Sequence, residues 1–90
     1  MSVETLWHVY ILRCADNSFY TGICIDLTRR IKEHNHSNQL GARYTRTRRP
    51  VTLVYYESAP SRSVAAKREH QIKQLSREQK IMLMNSQDQH

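Results

Sequence analysis

Five side chains in this chain are of the types that act on a phosphodiester: Tyr10, Tyr20, Arg30, His34 and Glu69. Hydrolysis of that bond needs an activated water, charge stabilisation at the phosphate and help for the leaving oxygen. A lone carboxylate such as Glu69 can hold one hard divalent ion, Mg²⁺ or Mn²⁺, that keeps most of its waters. A guanidinium such as Arg30 can donate two hydrogen bonds to the nonbridging oxygens. A tyrosine can accept a proton from water if nearby cations lower its ordinary pKa of about 10. Each residue also has a plainer reading. Tyrosine is a good strand former with a polar tip. Arg30 and His34 share a helical face by their spacing of four, and Asp26 could pair with Arg30 at the same spacing. Glu69 could simply pair with Lys73.

Charge placement supports a polyanionic partner. Between Asp26 and Arg49 stand seven basic residues, Arg29, Arg30, Lys32, Arg43, Arg46, Arg48 and Arg49, against the acids Asp26 and Glu33. That stretch holds +5 of a net charge of +6. Clustered positive charge attracts polyanions by Coulomb steering and counterion release. The string Arg43-Tyr44-Thr45-Arg46-Thr47-Arg48-Arg49 reads as a phosphate-tracking loop, with Tyr44 available to stack a base. Arg29, Lys32 and Lys73 extend the candidate nucleic-acid contacts. Such contacts contribute affinity rather than sequence choice. The competing reading is a solvated basic loop.

The elements that must position these residues follow from pattern. Trp7 to Arg13 and Phe19 to Ile25 alternate like strands, and Ala15-Asp16-Asn17-Ser18 is a turn signal. For Tyr10 and Tyr20 to share a face of that hairpin, paired residue numbers must add to an even number. A loop of Asp16-Asn17-Ser18 between Ala15 and Phe19 satisfies this. Asp26 is a cap for a helix from Leu27 to about His36. Ser37 to Pro50 reads as a mobile loop, and Val51 to Glu57 as a third strand. Val64, Arg68, Ile72 and Leu75 mark a helix from about Arg62 to Leu75. Ser76 and Gln79 form a capping box for a last helix, Arg77 to Met84. The tail from Asn85 to His90 reads as frayed. The order β-β-α-β-α-α gives an α+β fold: a small three-stranded, mainly antiparallel sheet flanked by helices.

Ninety residues make one domain, residues 1–90 with a core of about 7–84. No apolar run approaches a membrane span of ~20 residues. The N-terminus has no signal-peptide pattern, so the expected compartment is the cytoplasm. Cys14 and Cys24 read as buried free thiols of a reducing compartment. They lack C-x-x-C spacing, which weighs against a zinc site with His34 and His36.

His8-Val9-Tyr10, Tyr20-Thr21-Gly22, Arg30, His34 and Glu69, in that order, resemble the GIY-YIG nuclease superfamily. Phe19-Tyr20-Thr21-Gly22-Ile23, Arg29-Arg30-Ile31-Lys32-Glu33-His34-Asn35, Arg48-Arg49-Pro50 and Lys67-Arg68-Glu69-His70-Gln71-Ile72-Lys73 resemble its short, single-domain bacterial members. The eukaryotic endonuclease of Holliday junctions and flaps carries a similar, more distant module. So does the bacterial excision-repair subunit that incises 3′ of a lesion. Two positions depart: His8 stands for the opening Gly, and Thr21 for Ile. The resemblance implies a metal-dependent endonuclease on nucleic acid, DNA rather than RNA, with a role in repair or recombination. It implies one Mg²⁺ or Mn²⁺ on Glu69 and catalysis by Tyr10, Tyr20, Arg30 and His34. Tyr20 is provisionally the proton acceptor, with Tyr10 orienting the water; the reverse assignment stays open. His34 would bond a tyrosine or the phosphate and relay the proton. The expected chain has no second nucleic-acid-binding domain, so a protein partner could supply specificity. The alternatives are a non-catalytic nucleic-acid-binding module on the same scaffold and a protein-interaction domain.

Overall fold

Period-two alternation draws Trp7–Arg13 (β1) and Phe19–Cys24 (β2) into an antiparallel hairpin. The computed structural model describes residues 5–87. Thr52–Ala59 (β3) pairs antiparallel with the other side of β1, giving the order β2-β1-β3. The hairpin turn is one residue earlier than the expected loop. Cys14 and Ser18 close it, and Asn17 takes a left-handed φ of 66°. That is the three-residue turn with a left-handed last residue, which matches strand twist. Asn tolerates this conformation because its short polar side chain bonds locally. The shift preserves parity: Tyr10 lies opposite Gly22 and Leu12 opposite Tyr20. Both tyrosines therefore face one side of the sheet.

That parity divides the core into two layers. Tyr10, Leu12, Cys14 and Cys24 pack with Val51 and, from Leu27–His36 (α1), with Leu27 and Ile31. Val9 and Ile11 pack on the opposite face with Tyr55, Ala59 and, from Arg62–Lys73 (α3), Ala65 and Ile72. A bulge in β3 accommodates both layers. Register slips between Ile11 opposite Tyr55 and Leu12 opposite Leu53, so Val54 and Tyr55 both serve the α3 layer.

Three expectations change in detail. The stretch read as a mobile loop contains an ordered helical turn, Arg43–Arg46 (α2), and Arg46, Arg48 and Arg49 are tied to backbone carbonyls. The buried stripe of α3 runs through Ala65 and Ile72, while Val64 is 45% exposed. Ala65 has the smaller side chain, so the helix axis can approach the sheet there. The last helix, Arg77–Gln87 (α4), continues three residues past Met84. The Gln87 amide donates to the Tyr56 carbonyl at 2.6 Å and accepts from its N–H at 3.4 Å, covering the outer edge of β3. Residues 88–90 of the expected frayed tail lie outside the described residues. The capping box forms: Gln79 N–H donates to Ser76 Oγ at 3.2 Å, and Ser76 N–H donates to Gln79 Oε1 at 2.9 Å.

Candidate active site

Four elements bring polar groups together on the α1 side of the sheet. Asp26 caps α1 by accepting the Arg29 N–H at 3.1 Å. This fixes the helix so that His34, one turn past Arg30, turns into the sheet. His34 is 0% and Tyr10 1% exposed. The Tyr10 hydroxyl and His34 Nε2 are 2.8 Å apart. On the other side of the ring, Nδ1 lies 2.8 Å from Thr45 Oγ1 in α2, and the Ala42 N–H donates to it at 3.4 Å. Tyr20 stands over the same imidazole with ring centroids 5.2 Å apart. It is 6.4 Å from Tyr10 by the same measure and only partly buried.

An exposed ladder continues from Tyr20. Its ring stacks on Tyr44 at 6.0 Å and 27°, and the Arg48 guanidinium lies 3.9 Å from the Tyr44 centroid. Arg48 is held in turn by Asp16 at 3.1 Å and the Tyr44 carbonyl at 2.9 Å. Arg30 Nη1 donates to Glu33 Oε1 at 2.9 Å and to the Leu40 carbonyl at 2.6 Å. The rest of the guanidinium lies beside the Tyr10 hydroxyl, with which it interacts, and the Asp26 carboxylate does not pair with it. Guanidinium donors that Glu33 and the Leu40 carbonyl do not take thus stand next to Tyr10, where an anion could meet them.

Burial sets the protonation of this cluster. Desolvation, then the cations Arg30 and Arg49, hold His34 well below its ordinary 6.5, at about 4, against the opposing pull of Glu33. Burial and then neighbouring Tyr20 push the Tyr10 phenol far above its ordinary range, opposed by Arg30. At neutral pH both groups are uncharged. The unfolded chain takes up the His34 proton near pH 6.5 and the folded chain only near pH 4. In that window the unfolded state binds more protons, so stability rises with pH. The His34 contribution is complete above about pH 6.5 and lost by about pH 4, an effect of about 3 kcal/mol. Urea unfolding at both ends of the window should show this slope in the wild type and a flatter one in His34→Gln.

The other candidate residues divide clearly. Arg49 donates to the carbonyls of His34 at 2.6 Å and Ser37 at 2.7 Å, and Arg46 to that of Asn38 at 2.8 Å. These cations anchor the segment to the C-terminal end of α1, where carbonyls lack helical partners. Lys32 and Arg43 are exposed, and Arg29 is 73% exposed with Glu33 at 3.5 Å. Glu69 does not join the tyrosine cluster. It lies on α3, which covers the opposite face, with its carboxylate 3.5 Å from Lys73. Cys14 and Cys24 are buried free thiols whose pKa values burial raises.

Two participants have roles that the sequence pattern left without assignment. Thr45 reads as one more residue of a basic loop, yet its hydroxyl meets His34. Gly22 reads as the last letter of a half-motif, yet it lies beneath the Tyr10 ring. A β-carbon there would stand 2.5 Å from Tyr10 Oη and 2.7 Å from Cζ. The hairpin register, which places Gly22 opposite Tyr10, is the signal that could have found it.

Among the described residues no three His, Cys, Asp or Glu side chains converge. A lone carboxylate such as Glu69 fits an ion that keeps its waters and takes further oxygens from a phosphate, not a closed protein cage.

Known proteins share this framework. A family model described as the GIY-YIG catalytic domain matches residues 6–82. A UPF0213 protein of Desulfotalea psychrophila is 56% identical over 80 residues, 89% of this chain and 72% of that protein. One from Halobacterium salinarum is 53% identical over 76 residues, 84% of this chain and 96% of that protein. The solution structure of a UPF0213 protein from Bacillus halodurans aligns with TM-score 0.56 at 44% identity, covering 89% of this chain and 83% of that one. A solution structure from E. faecalis aligns with TM-score 0.65 at 35% identity, covering 100% and 94%. Motif order, fold and similarity across nearly the whole domain agree: the chain belongs to the GIY-YIG domain family, alongside the UPF0213 proteins.

Proposed function

We propose that this chain is a metal-dependent endonuclease that hydrolyses phosphodiester bonds in nucleic acid, with DNA preferred to RNA. The observation that supports it most is the meeting of Tyr10, Tyr20 and neutral His34 in one cluster beside Arg30. Arg30 holds nonbridging phosphate oxygens through the guanidinium donors that Glu33 and the Leu40 carbonyl leave free. Tyr20, partly open to solvent, accepts the proton of the attacking water, and buried Tyr10 orients that water. Glu69 would hold one Mg²⁺ or Mn²⁺, which supplies charge neutralisation at the phosphate and the leaving oxygen. Because α1 and α3 lie on opposite faces, a strand engaging both Arg30 and Glu69 crosses the exposed edge of β2. Arg29, Lys32 and Arg43 supply backbone affinity beside it. Lys73 releases Glu69 and contributes a further phosphate contact. Substrate choice rests with a protein partner.

The second reading is a nucleic-acid-binding module without catalysis. What favours it is the Glu69–Lys73 pair on the far face. One experiment separates the two. Wild type and Glu69→Ala are incubated with labelled single-stranded, duplex, flap and four-way-junction DNA and with RNA, in Mg²⁺, Mn²⁺ or EDTA. The nuclease reading expects cleavage by wild type that EDTA and Glu69→Ala each abolish. Salt-sensitive binding by both proteins with no cleavage assigns the module instead.

A further inference from the structure

A backbone N–H and a hydroxyl meet one ring nitrogen of a buried imidazole. The Ala42 N–H points at His34 Nδ1 from 3.4 Å, and Thr45 Oγ1 lies 2.8 Å from it. A backbone N–H, here of the extended N-cap residue of α2, cannot rotate away as a hydroxyl can, so a proton on Nδ1 would face it head on. The Thr45 hydroxyl can rotate, and its other acceptor is the Ala42 carbonyl at 3.0 Å. That carbonyl already accepts the backbone N–H groups of Thr45 and Arg46, each at 3.1 Å. Nδ1 is the acceptor that still lacks a strong donor. Arg30 and Glu33 from α1 and Arg49 from the following segment are the charged groups that act on this ring. None of them bonds either ring nitrogen; Arg49 takes the His34 carbonyl.

We propose that Thr45, with the Ala42 N–H, locks neutral His34 in the tautomer that carries its proton on Nε2, making Thr45 a positioning residue for Tyr10. His34 then donates to the Tyr10 oxygen across 2.8 Å. The proton of the Tyr10 hydroxyl is turned away from His34, toward the side where the Tyr20 ring stands. Tyr10 acts there as a hydrogen-bond donor to the reacting water, and Tyr20 remains the proton acceptor. The tautomer stands on geometry alone; its effect on rate rests on the nuclease reading above.

The test reads the ring nitrogens directly. The full chain is labelled with ¹⁵N-histidine, and its imidazole ¹⁵N shifts are recorded near pH 7.5. The His34 signals are assigned by their loss in His34→Gln. The expected wild-type pattern is a pyridine-like Nδ1 and a pyrrole-like Nε2. A pyrrole-like Nδ1 overturns the proposal. Thr45→Val keeps the shape and removes the hydroxyl, so it should move His34 toward a tautomer mixture, and Thr45→Ser should restore the wild-type pattern. An unchanged pattern in Thr45→Val overturns the role of Thr45. If that variant does not fold, Thr45→Ser and the wild-type spectrum decide. Where cleavage is detected, Thr45→Val should lower kcat about tenfold or more at unchanged KM, with rescue by serine. The spectra hold whether or not any substrate is cut, so failure of the nuclease reading and failure of the tautomer are separate results.

Discussion

Gly22→Ala is expected to damage the site more than any other single-methyl change. The new β-carbon falls 2.5 Å from Tyr10 Oη and 2.7 Å from Cζ, well inside contact distance. Gly22 lies opposite Tyr10 in the central strand pair, so the backbone there cannot yield without breaking the ladder. Tyr10 must move instead, and its hydroxyl leaves His34. Overpacking of this kind costs about 1–3 kcal/mol of stability. Displacing a reacting group by ~1 Å can cost about 10²-fold in rate. Thermal unfolding and single-turnover cleavage on the same preparations would measure both. A variant with wild-type stability and rate would show that the Tyr10 ring does not need the space above Gly22.

The two tyrosines should fail differently when each loses its hydroxyl. Tyr20 is partly exposed, and its hydroxyl makes no hydrogen bond among the described residues. Tyr20→Phe should therefore change stability by no more than about 0.5 kcal/mol. As proton acceptor it should lose about 10²–10⁴-fold in kcat with nucleic-acid affinity retained. Tyr10 is buried against His34 at 2.8 Å. Tyr10→Phe leaves Nε2 without a partner in a dry environment, a loss of about 1–3 kcal/mol of stability. Urea unfolding beside cleavage and binding assays would separate the pair. A Tyr20→Phe protein that cuts at the wild-type rate would remove Tyr20 from the chemistry and return the proton-accepting role to Tyr10.

Local pattern carried much of this molecule. Strand alternation, the Asp26 cap and the Ser76–Gln79 box are decided within a few residues of chain, by side-chain direction and by backbone groups that need partners. So the hairpin, the bounds of α1 and the start of α4 were readable without coordinates. Parity placed Tyr10 and Tyr20 on one face even though the turn sits one residue earlier than its residues suggest. That outcome depends only on the two-residue repeat of a strand. The ordered motif and its similarity to the GIY-YIG family were likewise properties of the chain as written.

What the sequence could not decide is which polar groups lose water. Arg46, Arg48 and Arg49 look identical to Arg43 in a basic run. Only packing of the α2 segment on α1 ties three of them to carbonyls and Asp16 and leaves Arg43 free of such bonds among the described residues. Thr45 becomes a partner of His34 through the same packing, across eleven residues. Burial then removes the charge from His34, a property no spacing rule contains. Residue types, order and strand parity are local and were set by the sequence itself. Desolvation, hydrogen-bond direction and the separation of Glu69 from the tyrosines arise between distant segments, and the tertiary structure alone decided them.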